Sequence, residues 1–253
     1  MTQRPLALVT GGCRRLGAAI AARLAAAGHD VALHSGHHAT PEGELAAILA
    51  DCAVDWAAFP ADFGKAGAAE ALCGAVCARF RRAPDLLVNN AAIFEDDGLT
   101  TADRARLDRH MAVNLAAPLA LMRALAAEGD AGPGRRSVVN ILDQRLVHLH
   151  VDQLSYSLSK AALAALGTIA AQNPALRVNA VAPGLSIPTQ DYLPDQIERL
   201  AALMPLARLP QPEDVAEAVH FLAATSALSG QTLYVDGGAH LVAYPRDFVA
   251  LAR

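Results

Sequence analysis

The sequence predicts an α/β fold: one doubly wound domain whose parallel sheet has about seven strands, with helices on both faces. Two observations carry this. Short runs of strand length alternate with longer helical patterns along all 253 residues. The runs are apolar at nearly every position, as strands buried on both faces must be, and lack the in–out alternation of a half-wet sheet. A chain of this length buries about three quarters of the surface its unfolded form exposes. No repeat or linker divides it, so residues 1–253 are expected to fold as a single unit.

The elements follow in order. Residues 6–9 (Leu-Ala-Leu-Val) read as the first strand, and 16–27 as a helix that stops at Gly28. A second strand at 31–34 precedes a helix at 42–49, and a third near 54–59 leads to a long helix at 66–80. The fourth strand is 86–88, followed by one long helix at 103–127 and a fifth strand at 137–141. A helix containing Tyr156 comes next, then a strand at 177–181. A polar, proline-bounded stretch spans 183–212, of which 185–210 is expected to cover a ligand. A helix at 213–223 and a last strand at 232–235 complete the pattern.

Composition excludes several classes. Net charge is −4, from 21 basic and 25 acidic residues with no basic block, which argues against nucleic acid. No uninterrupted apolar run reaches the ~18 residues of a membrane span. Met1-Thr2-Gln3-Arg4-Pro5 leads straight into a strand, so no signal peptide is expected. Cys13, Cys52, Cys73 and Cys77 show neither zinc nor thioredoxin spacing, and a reduced, cytoplasmic protein is the plain reading.

Two segments carry chemistry. Thr10-Gly11-Gly12-Cys13-Arg14-Arg15-Leu16-Gly17 sits between the first strand and first helix, where glycines let backbone approach a dinucleotide pyrophosphate and the helix N-terminus offers free N–H groups. Arg15 stands where the three-glycine spacing has its middle glycine. The second strand ends in His34-Ser35-Gly36-His37-His38 with no carboxylate for a ribose hydroxyl, so Arg14 and His37 are expected to meet a 2′-phosphate and NADP(H) is favoured over NAD(H). The three histidines lack a supporting acid, and no metal site is expected. Farther on, Tyr156 and Lys160 lie four apart, on one helix face. An ammonium there is expected to lower the phenol towards the range of a general acid–base.

Taken together, these motifs resemble the short-chain dehydrogenase/reductase family along nearly the whole chain. The pieces occur in family order: the glycine loop, Asp62, Asn89-Asn90-Ala91-Ala92, Asn114, Tyr156-x-x-x-Lys160, Pro183-Gly184, and Val235-Asp236-Gly237-Gly238. The resemblance implies a Rossmann-type fold and a bound NAD(P)(H). In the cofactor groove it places Gly11, Arg14, Arg15, Leu16, Gly17, His34, His37, Pro183, Gly184 and Ser186, with Asp62 at the adenine and Asn89 and Ala91 along the wall. Tyr156 would be the general acid or base, Lys160 would bind the nicotinamide ribose, and Asn114 would support a proton relay.

Two departures are specific. The family serine thirteen residues before the tyrosine is here Asp143, and Arg15 replaces a glycine. Both resemble the pteridine reductase and dihydromonapterin reductase branch, with its Thr-Gly-x-x-x-Arg-x-Gly loop and Asp-Tyr-Lys centre. That likeness implies a flat pterin ring held by Arg15, Phe94, Tyr156 and Ser186. Ala92 and His37 depart from the serine and arginine common in the branch. A carbonyl or alcohol oxidoreductase of the same fold, and a cofactor-binding scaffold without catalysis, remain the alternatives. His148 and His150 lie where a loop reaches the substrate mouth. Helices apolar all round at 107–127 and after Tyr156 predict partner subunits, and with the family resemblance a homotetramer is expected.

Overall fold

A computed structural model describes residues 3–128, 136–186 and 193–252. Seven strands, all parallel, form one sheet: β1 (Leu6–Val9), β2 (Asp30–Ser35), β3 (Trp56–Pro60), β4 (Leu86–Asn89), β5 (Arg136–Ile141), β6 (Leu176–Pro183) and β7 (Thr232–Val235), in spatial order β3-β2-β1-β4-β5-β6-β7. Because successive side chains point to opposite faces, the central strands feed two cores. Ala7, Val9, Val31, Leu33, Leu86, Val88, Val139, Ile141 and Val181 face one of them. Leu6, Leu8, Ala32, Leu87, Val138, Leu176 and Val178 face the other. This explains why the strands are apolar at consecutive positions.

The first core is closed by α1 (Arg15–Ala26), α2 (Leu45–Asp51) and α8 (Pro212–Ala224). The second is closed by α3 (Ala68–Phe80), α5 (Ala117–Ala127) and the inner side of α6 (Leu154–Ala170). A smaller apolar cluster of Leu200, Met204, Leu209, Ala239 and Phe248 joins α7 (Pro194–Leu203) to the C-terminal helix α9 (Phe248–Ala252).

Two expectations need correction, on the long helix and on the stretch over 183–212. The helix expected over 103–127 is α4 (Arg104–Met111), a π-helical turn (Ala112–Ala116) and α5, so the wider turn carries Asn114. That composite helix is long and apolar enough to cross a membrane by length and composition, with mean hydropathy 1.3, although Arg123 and Asn114 interrupt its apolar run. Its Ala117, Leu121, Met122 and Leu125 pack on the sheet. Finally, the stretch over 183–212 contains α7, started by Pro194 in its first turn. Within the ligand-covering segment at 185–210, residues 187–192 lie outside the described residues.

Candidate active site

The strand order reverses between β1 and β4, and in open α/β sheets a crevice forms at that point beyond the carboxyl ends of the strands. A cleft of about 630 Å³ lies there, lined from His37 and Asp62 at one end to Tyr156, Lys160 and Ser186 at the other. The Thr10 hydroxyl closes the seam between the two strands. It donates to Val88 O at 3.2 Å and accepts the N–H groups of Asn90 at 2.9 Å and Ala91 at 3.0 Å.

The glycine loop turns sharply over this seam. Gly11 has φ +63°, and a Cβ on Gly17 would lie 2.0 Å from Gly11 O, so only glycine lets α1 start this close to the loop. Arg15 has φ +50°, a left-handed conformation that costs a non-glycine residue roughly 1–2 kcal/mol. The position of the missing glycine thus keeps a glycine-like backbone while presenting an exposed guanidinium at the cleft.

A dinucleotide fits this floor. The first turn of α1 offers N–H groups that have no acceptor within the helix. Leu16, Gly17, Ala91, Pro183, Gly184 and Ser186 line the same cleft. Asp62 lines it too, with its Oδ1 accepting the Gly64 N–H at 3.0 Å.

Some expected residues sit differently. Asn89 is buried beneath the floor and donates to Asn140 Oδ1 at 2.8 Å; Asn90, its neighbour, lines the cleft and donates to Thr10 O at 2.8 Å. The His34 ring accepts the Gly11 N–H on Nδ1 at 3.2 Å, meets Ala61 O through Nε2 at 2.8 Å and stacks on Phe63. Burial holds it below the ordinary histidine range, which suits a neutral ring. With both nitrogens engaged, His34 lines the cleft and holds Gly11. Glu42 lines the cleft beside Arg14, His37 and His38, because its N–H is tied to Cys13 O at 2.8 Å. Sequence reasoning missed Glu42 since it lies seven residues beyond the end of β2.

At the other end the catalytic candidates converge. Asp143, just past β5, accepts the Arg145 N–H on Oδ1 at 2.9 Å and the Tyr156 hydroxyl on Oδ2 at 3.0 Å. Lys160 is buried one turn along α6 and donates to Ile141 O at 2.7 Å. Phe94 is 50% exposed and meets the Tyr156 ring edge-on, 4.8 Å between centroids. Asn114, in the π-helical turn, accepts the Ile93 N–H and donates to Ser159 Oγ at 2.9 Å, which links it to α6 next to Lys160.

Electrostatics correct one expectation. Burial, then the charge of Asp143, raise the Tyr156 phenol well above its ordinary value, against a smaller opposing pull from Arg145. Lys160 is instead the group brought towards neutrality: burial lowers it from 10.5 to about 8. In the protein's own field the tyrosine therefore holds its proton, the state a proton donor needs. Among the described residues, no group of His, Cys, Asp and Glu side chains could hold a metal ion.

Comparison with known proteins agrees with this geometry. Residues 12–240 match the family described as enoyl-(acyl carrier protein) reductase. The chain is 32% identical over 246 residues to (3R)-3-hydroxyacyl-CoA dehydrogenase of Mus musculus, covering 92% of this chain and 95% of that protein. It is 33% identical over 248 residues to the 3-oxoacyl-(acyl-carrier-protein) reductase FabG of Staphylococcus aureus, covering 93% and 98%. Among solved structures, FolM alternative dihydrofolate reductase 1 of Brucella canis, complexed with NADP, superposes with a TM-score of 0.85 at 35% identity, over 94% of this chain and 95% of that one. The chain belongs to the short-chain dehydrogenase/reductase family, NAD(P)-dependent oxidoreductases that act on small molecules.

Proposed function

We propose that the protein is an NADPH-dependent reductase of a pterin-like ring, whether pterin, dihydropterin or dihydrofolate, with Tyr156 as proton donor. The observation that carries this is the carboxyl group of Asp143 on the Tyr156 hydroxyl, 3.0 Å away. A serine hydroxyl there would suffice to orient a carbonyl oxygen. A carboxyl group can also hold the tyrosine in a proton-supplying network, which suits protonation at a ring nitrogen. Phe94 supports the reading: half exposed beside Tyr156, it offers an apolar face for a flat heterocycle. The likeness to the FolM alternative dihydrofolate reductase points the same way.

The bound dinucleotide supplies hydride chemistry. Reduction adds hydride to a ring carbon and a proton to the adjoining nitrogen. Tyr156 gives the proton from its hydroxyl, and Lys160, charged below about pH 8, stabilises the phenolate left behind. Asp143 holds the hydroxyl in line. Arg15 and Ser186 meet the polar edge of the ring, and Asn114 steadies the Lys160 turn through Ser159. Arg14 and His37 favour the 2′-phosphate of NADP(H). The protein works as a homotetramer.

Reduction of a carbonyl is the second reading, favoured by the names of the relatives at 32% and 33% identity. NADPH oxidation followed with dihydrobiopterin, dihydrofolate and a panel of ketones separates the two. Turnover of the pterins alone supports the first reading; turnover of ketones alone replaces it with the second.

A further inference from the structure

Behind Tyr156 lies a cluster of buried charge that the hydride-transfer site does not by itself require. Arg145, in a short turn after β5 (Gln144–Leu146), is 6% exposed, and its guanidinium touches groups from four parts of the chain. Its Nε lies 3.2 Å from Asp143 Oδ1, and it donates to Gln153 Oε1 at 3.0 Å and to Asp247 Oδ2 at 2.8 Å. The same group lies over the Tyr156 ring at 5.0 Å and the Phe94 ring at 5.4 Å.

Asp247 belongs to the segment that leads into α9, 102 residues from Arg145. That segment is fastened to the start of α6. Arg246 grips Asp152 with two nitrogens, each 2.8 Å from a carboxylate oxygen, and the Asp247 N–H donates to Asp152 at 2.8 Å. A buried ion pair adds little stability over an apolar pair of the same shape, because desolvation offsets the attraction. The reason for burying this one lies in what it touches. Asp143 and Asp247 bring two negative charges, Arg145 and Lys160 two positive ones, so the cluster is neutral only when Lys160 carries its proton.

We propose that Arg145 is a positioning residue of the reaction centre, anchored by Asp247, so that the C-terminal segment is a working part of the active site. Arg145 fixes the plane of the Asp143 carboxyl group and the faces of both rings that meet the substrate. Its charge opposes the proton on Lys160, and Asp247, paired with it at 2.8 Å, offsets that charge. Lys160 is faced by Asp143 and Arg145 from the loop after β5 and by Tyr156 on its own helix, while Arg14, Arg15 and Asp62 line the cleft opposite. The inference rests on Tyr156 and Lys160 forming the proton-donating centre, and it applies to pterin and carbonyl substrates alike.

The chain offers a direct readout, because Lys65 and Lys160 are its two lysines. In protein labelled with 13Cε-lysine and assigned with a Lys65→Arg variant, the Lys160 resonance should titrate near 8. Arg145→Gln removes a cation and should move the Lys160 midpoint up. Asp247→Asn removes an anion and should move it down. A clamp that merely holds the fold would, once broken, let water reach Lys160 and move both variants up towards the ordinary value. Shifts of opposite sign support the proposal; shifts in one direction, or none in either variant, overturn it. If Arg145→Gln does not fold, Asp247→Asn decides alone, since only a downward shift agrees. The titration needs no acceptor molecule, so its failure is distinct from a failure of the pterin assay.

Discussion

Burial and the charge of Asp143 both favour the neutral phenol of Tyr156, while Arg145 pulls more weakly the other way. Tyr156→Phe keeps the ring and its packing but removes the only proton at this point. Turnover should fall by at least the 10²-fold typical of a lost general acid, with NADPH binding by fluorescence titration nearly unchanged. Asp143→Ser should impair pterin reduction more than any carbonyl activity; equal loss on both substrates would count against a special role for the carboxyl group. Lys160 makes a prediction about stability. Below about pH 8 it is protonated folded and unfolded, and above 10.5 it is neutral in both. Between these values only the unfolded chain holds the proton, so this group's cost to the fold is present at neutral pH and fades as pH rises. The depression from 10.5 to about 8 corresponds to roughly 3 kcal/mol. The thiols of Cys13, Cys73 and Cys77, wholly or partly buried, are pushed up and act in the opposite sense at high pH, so the comparison must be with a variant. Lys160→Met should melt higher than wild type at pH 7, and that advantage should shrink by pH 10.

The turn into α1 shows how local chemistry and packing divide the work. Arg15→Gly relieves a left-handed strain of roughly 1–2 kcal/mol but adds about 0.5–1 kcal/mol of unfolded-chain entropy. Stability should therefore change little, while affinity for a pterin in the NADPH complex should drop; a large loss of stability would mean that Arg15 holds the loop itself. Glu42 faces the same end of the cleft as Arg14, where its negative charge opposes a 2′-phosphate. Glu42→Gln should tighten NADPH and leave NADH nearly unchanged, and Arg14→Ala should weaken NADPH far more than NADH, both by equilibrium titration. At this scale the sequence was legible wherever burial is continuous. The five central strands announce themselves because both faces are covered. The π-helical turn left no trace, since one wider turn barely disturbs an apolar pattern already present on all sides of 103–127. The helix α7 did leave a signal that went unread: Ile197, Leu200, Ala201 and Met204 recur at helical spacing within a polar stretch, and Leu200 and Met204 are buried. Glu42 and the Arg145–Asp247 pair were beyond reach, because tertiary packing rather than local spacing brings Glu42 to the cleft and joins the pair behind Tyr156.

For the molecule as a whole, the helix that carries the reaction centre is also one that asks for a partner. Tyr156 and Lys160 point inward from α6, whereas Leu158, between them in sequence, is 47% exposed and Ile169 is 66% exposed. Leu119 on the neighbouring α5 is likewise exposed. Apolar side chains of this size gain about 1.5–3 kcal/mol each when taken fully out of water, so several on adjoining helices favour association with a second copy of the same face. Association would cover the outer side of the catalytic helix and stiffen it along its length. Light scattering at micromolar concentration should give the mass of four chains, and Leu158→Glu combined with Ile169→Glu should lower it, because burying two carboxylates on each copy is costly. The dissociated variant should keep its parallel-sheet circular dichroism while losing activity, since α6 would be left wet on the side opposite Tyr156. A monomeric mass for the wild-type protein, or full activity in a dissociated variant, would show that each chain holds its active site unaided.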